Sequence, residues 1–252
     1  MAKAPERAAA LGRPSYVWRS GQERRLALIR RQASLEGARI LDVGCGIGAY
    51  VRRMGELSDR VYGVDVDEQR VRRGSASIPN LMIAVGERLP FRDNCFDVIL
   101  LNEVIEHVSD DAATLREACR VATAGGKVVV FAPNRLYPFE THGVYLGKRY
   151  VFGNIPFVHY LPGPLRRRLA PHVRAYVRSD LQRLTEGLDA AWAWHSVIYP
   201  GFDNIAARSK LLAGALRHVL YALESTPLQA IGLSHFLVLE KRAPLAEVAQ
   251  DG

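Results

Sequence analysis

The chain has 252 residues, 48% apolar and 24% charged, an ordinary balance for a soluble globular protein able to bury a full core. The length suits one α/β domain with an elaboration, and no apolar run reaches the length of a membrane span. A net charge of +8 permits an anionic partner, but the arginines are spread along the whole chain, so charge alone does not select nucleic acid.

Residues 1–14, interrupted by Pro5 and Pro14, read as a tail without a signal-peptide core, which makes the cytoplasm the expected compartment. Residues 16–34, with Trp18, Leu26 and Ile29, predict a leading helix. Residues 1–35 are therefore read as a tail with a covering helix, and 36–252 as a single domain. Residues 38–50 follow, Ala-Arg-Ile-Leu-Asp-Val-Gly-Cys-Gly-Ile-Gly-Ala-Tyr. Ile40–Val43 is a buried strand by its apolar run, and Gly44, Cys45, Gly46 and Gly48 make a turn whose backbone N–H groups can approach a ligand closely. Asp42, in the strand just before the turn, argues against a dinucleotide, because a carboxylate there would repel a pyrophosphate. The G-x-G-x-x-G spacing is also absent, and a ligand carrying an ammonium suits Asp42 better.

These residues resemble the first motif of class I S-adenosylmethionine-dependent methyltransferases. The resemblance continues through Val61-Tyr-Gly-Val-Asp65, Leu89-Pro-Phe-Arg-Asp-Asn-Cys-Phe-Asp97, Glu103-Val-Ile-Glu-His107 and Gly125-Gly126-Lys-Val. It is nearest to the group that includes quinone-biosynthesis methyltransferases, and it spans residues 38 to about 135. It implies S-adenosylmethionine as cofactor. It also implies a doubly wound, mostly parallel seven-stranded sheet of order 3-2-1-4-5-7-6, with the last strand antiparallel. The leading helix would cover the methionine end of the cofactor, where Arg19 is read either as a partner of its carboxylate or as a surface cation.

The remaining pattern supports this class. Strands at 60–64, 81–85, 96–101 and 127–132 alternate with helices at 47–57, 67–77 and 111–122, the βαβα rhythm of a parallel sheet. Residues 134–177 break it, rich in Pro, Gly, Tyr and Phe without a clean period, and read as a lid or binding loop with hinges at Gly143, Gly147, Gly153 and Gly163. A helix capped by Ser179 and Gln182, a strand at 190–198, a helix at 203–223 and a strand at 234–241 complete the chain.

The cofactor-binding set expected from the motifs is Asp42, Gly44, Cys45, Gly46, Asp65, Val66, Gly86, Glu87, Asn102 and Glu103. Asp65 ends the second strand and can accept both hydroxyls of a ribose. Relatives commonly carry an acid where Val85 stands, so the Gly86 N–H is left to meet the adenine, with Glu87 read either as a substitute for the acid or as a solvated side chain. His142, with Glu140 two positions before it, is the candidate catalytic base, with a loop-pinning histidine as the alternative. His107 is read as supporting a helix start. The three cysteines form no metal spacing, and no metal is expected.

The expected acceptor is a hydroxyl on a small or lipid-like molecule, met by the aromatic-rich insert, with no obligate protein partner. Two rivals remain. One is a nucleic-acid methyltransferase using the basic region Arg166–Arg178; the other is a non-catalytic cofactor-binding module. Arg166-Arg167-Arg168 is placed on the rim of the insert. There, Leu161, Leu165, Leu169 and Val173 at helical spacing read either as an amphipathic helix on an anionic membrane or as inward-packed leucines beside solvated arginines.

Overall fold

The computed structural model describes residues 18–243. Helix α1 (Ser20–Gln32) is followed by β1 (Ile40–Val43), α2 (Ala49–Met54), β2 (Val61–Asp65), α3 (Glu68–Ser75), β3 (Leu81–Ile83), β4 (Phe96–Asn102), α4 (Asp111–Val121) and β5 (Ala122–Pro133). The insert holds four short strands, β6 (Phe139–Glu140), β7 (Val144–Leu146), β8 (Arg149–Val151) and β9 (Ile155–Pro156), then α5 (Gly163–Leu169). Helix α6 (Arg178–Thr185), β10 (Ala190–Ile198), α7 (Asp203–Ala206), α8 (Lys210–Leu223) and β11 (Ser234–Lys241) complete the fold.

The main sheet has the order β10-β11-β5-β4-β1-β2-β3. Strands β3, β2, β1, β4 and β5 pair in parallel, whereas β11 runs antiparallel to both β5 and β10. This is the expected topology. The central strands are buried on both faces, which is why Ile40–Val43 reads as an apolar run interrupted only by Asp42 rather than as an alternation. One face of the sheet packs Leu41, Ile99 and Val130 against α4, and the other packs Ile40, Leu100 and Phe131 against α1 and α2. Phe131 and Phe236 stack with ring centroids 4.9 Å apart, and each such buried side chain stabilises by roughly 1.5–3 kcal/mol.

The helix starts follow their caps. The Asp67 carboxylate accepts from Gln69 and Arg70 at the start of α3, and Asp110 accepts from Ala113 at the start of α4. Helix α6 differs from expectation: Ser179 lies inside it, and Asp180 closes the turn by accepting from the Val177 N–H at 2.9 Å. The expected helix over 203–223 is two helices, α7 and α8, with Ser209 capping the second by accepting from Leu212.

The edge where β1, β2, β4 and β5 end carries two long segments that extend beyond the sheet. The insert leaves it at Pro133. The segment with α7 and α8 leaves it at Ile198 and returns at Ser234, since Pro133 pairs with Ser234 and Ser234 with Ile198. Buried Asn134 fastens the two segments together, donating to the carbonyls of Ala230 and Gly232 at 2.8 and 2.7 Å.

Candidate active site

The glycine turn after β1 forms a cradle. Gly44, Gly46 and Gly48 all have positive φ, and a Cβ added at Gly46 would meet nothing within 4 Å, so this backbone faces open space. Asp65, at the end of β2, grips the turn: one carboxylate oxygen accepts from Gly46 N–H at 2.8 Å and the other from Asp67 N–H at 2.8 Å. Asp42 is 3% exposed and has no hydrogen-bond donor among the described residues. Burial, and then the charge of Asp65, push its pKa well above the ordinary carboxylate range. A cation would relieve both causes. Cys45 is buried beside the same two carboxylates, and burial pushes its thiol up and leaves it inert.

Beside the cradle, Val66 and Val85 stand exposed at the ends of their segments with Ile83, an apolar shelf of the kind a flat ring system covers. Gly86 backs onto Thr114, whose Cγ2 would lie 3.0 Å from an added Cβ. Glu87 braces the loop before α4: its Oε1 accepts from Ser109 N–H at 2.8 Å and from Asp110 N–H at 3.4 Å.

On the other side of β1 lies a cleft of about 220 Å³, lined by α1, Tyr50, Asn102 and residues of the 198–203 turn. Helix α1 lines it and is held there by close backbone packing. A Cβ on Gly201 would come 2.5 Å from the Gly21 Cα, and Asp203 accepts from the N–H groups of Ser20 and Gly21, both at 3.1 Å. The cation aimed at the site from α1 is Arg25. Its guanidinium donates to Asn102 Oδ1 and Glu103 Oε1, each at 2.6 Å, and lies over the Phe131 ring. Arg19, the arginine singled out from the sequence, lines the same cleft. Burial opposes ionisation of Glu103, but Arg25 first, then His142 and the Ser234 hydroxyl, outweigh it and hold the carboxyl down at about 2. The Tyr50 hydroxyl is buried at this cleft without a partner among the described residues.

The insert is not irregular. It folds around Glu140, a fully buried carboxylate. Arg166 Nη2 donates to Glu140 Oε2 at 3.2 Å, and the backbone N–H of His142 donates to Oε1 at 2.9 Å. The His142 ring Nδ1 lies 3.1 Å from the same oxygen. Burial opposes this charge too, but the His142 ring hydrogen bond first, then the nearby His159 and the His142 backbone N–H, hold Glu140 down at about 2. His142 and Glu140 are thus a bonded pair, as their spacing allowed.

Arg166 is therefore not on a rim. It is 6% exposed, whereas Arg167 and Arg168 are exposed. Nor does an amphipathic helix run from Leu161 to Val173: α5 is seven residues long, begins after Pro162 and stops before Pro171, which disfavours helix at Ala170.

Near His142 the fold brings together two groups from the end of β4. Glu106 is fully buried, and neither of its carboxylate oxygens has a hydrogen-bond partner among the described residues. Burial, and then the neighbouring Glu103, push its pKa well up. His107 Nδ1 lies 3.3 Å from the His172 carbonyl, and its Nε2 faces Glu106 at 3.9 Å. One ligand-type atom from each of Glu106, His107 and His142 falls within 4.8 Å of the others, a donor set able to hold a divalent cation. The expectation of no metal rested on cysteine spacing, which carries no trace of this cluster.

Residues 41–130 match the family described as "Methyltransferase domain". Over 102 residues the chain is 36% identical to a probable S-adenosylmethionine-dependent methyltransferase of Mycolicibacterium smegmatis, covering 40% of each protein. Over 130 residues it is 31% identical to a ubiquinone biosynthesis O-methyltransferase of a Caulobacter strain, covering 44% of this chain and 52% of that one. The chain thus spans about half or less of the length of these curated relatives. Among solved structures, an S-adenosylmethionine-dependent methyltransferase from Mesorhizobium loti superposes with a TM-score of 0.60 at 18% identity, over 85% of this chain and 96% of that one. At that identity the likeness is one of fold. The methyltransferase match ends at residue 130, before the insert, α8 and the His142–Glu140 pair. Among the described residues, no helix is long and apolar enough to cross a membrane.

Arg25, Tyr50, Glu106 and Ser234 are the site residues that sequence reading missed. Glu106 stood in the Glu-x-x-Glu-His string, but nothing local marks it as buried without a donor. Arg25 is one of many arginines, and its partners lie 77 and 78 residues away.

Proposed function

We propose that the chain is an S-adenosylmethionine-dependent methyltransferase acting on a hydroxyl of a small or lipid-like molecule. The observation that carries the reading is one sheet edge holding both halves of the chemistry. The glycine cradle with unpartnered Asp42 lies at the end of β1, and the histidine–carboxylate cluster lies at the end of β4 under the insert. The donors present fit the cofactor. Asp65 would accept from the ribose hydroxyls, Arg25 and Tyr50 would meet the methionine carboxylate, Asp42 would face the cationic part, and the exposed Val66, Ile83 and Val85 would form the shelf for the adenine. When bound, the cofactor supplies a methyl group already activated by a sulfonium, so position and orientation provide most of the acceleration. The acceptor hydroxyl lies between the cradle and the insert. His142, oriented by its Nδ1 contact with Glu140, takes the proton at Nε2.

The Caulobacter relative is named a ubiquinone biosynthesis O-methyltransferase, so aromatic hydroxyls are the first acceptor class to test. The test incubates the full chain with methyl-labelled cofactor and a panel of hydroxylated aromatics and lipids. Label on a hydroxyl, lost in Asp65→Ala, supports the reading. Label on nucleic acid alone supports the first rival, and binding without transfer to any acceptor supports the non-catalytic module.

A second reading of the acceptor side has its own observation, the orphaned carboxylate of Glu106. Each histidine beside it has Nδ1 taken by an acceptor, which leaves Nε2 as the ligating atom, the arrangement metal-binding histidines use. In that reading Glu106, His107 and His142 would hold a divalent cation, which would supply Lewis-acid chemistry to the acceptor, and His142 would be a ligand instead of a base. Cobalt(II) titration followed by absorbance separates the two readings. Stoichiometric binding lost in Glu106→Gln supports the metal, and no binding leaves His142 as the base.

A further inference from the structure

We propose that the end of the molecule around the cleft docks on an anionic bilayer surface. Two segments build that end, the insert at 134–177 and the segment 199–233 that carries α7 and α8, and both spring from the carboxyl edge of the sheet. Together they hold ten Lys and Arg against three carboxylates, a net +7 of the chain's +8, in fewer than a third of its residues. The three carboxylates all turn inward. Glu140 is paired with Arg166, Asp203 with the start of α1 and Arg217, and Glu224 with Arg24. Arg167, Arg168, Arg208 and Lys210, by contrast, are exposed. The outward field of this end is therefore positive, with no facing acid to cancel it.

The same two segments carry most of the exposed apolar surface. Of the sixteen exposed large apolar side chains among the described residues, twelve belong to them. Phe152 and Phe157 project from the insert at 55% and 64% exposure, and Leu211 and Leu212 from the first turn of α8 at 88% and 53%. The exposed face of α8 continues through Gly214, Ala215, Val219 and Ala222 with no acid on it.

Charge and apolarity together choose the occupant. A nucleic acid would use the cations and leave the phenylalanines and leucines in water. A second copy would set +7 against +7. An anionic bilayer takes both, with the cations at the headgroups and the apolar side chains at the acyl boundary. The inference does not depend on the methyl-transfer reading, since it is measured without cofactor or acceptor.

The test is flotation of the full chain with vesicles of phosphatidylcholine alone and of phosphatidylcholine mixed with phosphatidylglycerol. The expected result is recovery with the mixed vesicles only, weakening as salt rises. Replacing Arg167 and Arg168 together, by Arg167→Glu and Arg168→Glu, should lower the partition constant roughly 30-fold. Leu211→Ser with Leu212→Ser should lower it roughly tenfold at unchanged charge. These four side chains are exposed, so the fold is not at stake. Failure to float with the mixed vesicles, or equal flotation with both, overturns the proposal. So does vesicle binding that ignores the leucine variant and is competed away by duplex DNA, which would make this a nucleic-acid face. A dimer in sedimentation that the leucine variant abolishes would assign the face to a second copy and overturn the proposal as well.

Discussion

Arg25 donates to Glu103 across 78 residues of sequence, at 2.6 Å, and so locks the leading helix onto the end of β4. Glu103 sits at φ 58°, a strained conformation for a glutamate, and this ion pair helps to hold it there. Arg25→Ala removes the lock and, on the proposed function, the cation that would meet the cofactor's carboxylate. We expect S-adenosylmethionine binding to weaken by ~1.5–3 kcal/mol, the scale of a hydrogen bond to a charged group. Calorimetry on Arg25→Ala and Arg25→Lys checks it, the lysine variant falling between wild type and alanine.

Three consecutive arginines in the insert should behave unequally. Arg166→Met leaves the fully buried Glu140 without its cation, and breaking a buried pair from one side costs ~3–5 kcal/mol. Arg167→Ala and Arg168→Ala, both at exposed positions, should each stay within about 0.5 kcal/mol of wild type. Denaturant unfolding of the three variants decides it.

Acid should loosen the insert. Burial holds His159 neutral, with its pKa lowered to about 4 although Glu140 pulls the other way and Arg166 and His142 add to the lowering. Below its unfolded value of 6.5 the unfolded chain binds a proton that the folded one does not. His159 therefore contributes stability that is lost as pH falls from 6.5 to about 4. Glu140 is depressed to about 2, so its contribution is lost between its unfolded 4.5 and that value. Both act in the same direction. Hydrogen exchange of insert amides should speed up as pH falls through the first window, after correction for intrinsic rates, and His159→Gln should flatten that change.

If His142 is the base, His142→Ala lowers turnover by roughly 10²–10⁴-fold while cofactor affinity stays near wild type. Glu140→Gln weakens the ring's orienting partner and also breaks the buried pair with Arg166, so it should lower stability as well as kcat. Steady-state kinetics together with cofactor calorimetry separate the base role of His142 from a merely structural role, which would lower affinity and stability together.

The sheet was legible because its strands carry their own signal. Ile40–Val43 and Phe96–Asn102 are short, mostly apolar runs that lead directly into the turns of the candidate site. Asp42, Gly44, Gly46 and Asp65 could be placed for the same reason, since strand and turn lie within a few residues of each other. What failed to show was long-range or aperiodic. The pairing of Arg25 with Glu103 has no local trace. Strands of two or three residues, such as Phe139–Glu140 and Val144–Leu146, are too short to show a period, so the insert looked structureless although it is built on Glu140. Arg166 cannot be told from Arg167 until the chain is folded, because only its position on α5 turns it inward.

The central claim is that the cradle at the ends of β1 and β2 binds S-adenosylmethionine, and calorimetric titration of the full chain with this cofactor tests it most directly. The account expects saturable one-to-one binding, no binding of NADH, and losses of ~1.5–3 kcal/mol in both Asp65→Ala and Asp42→Asn with the fold retained by circular dichroism. Affinity unchanged in both variants, or tight binding of NADH with none of S-adenosylmethionine, would contradict it.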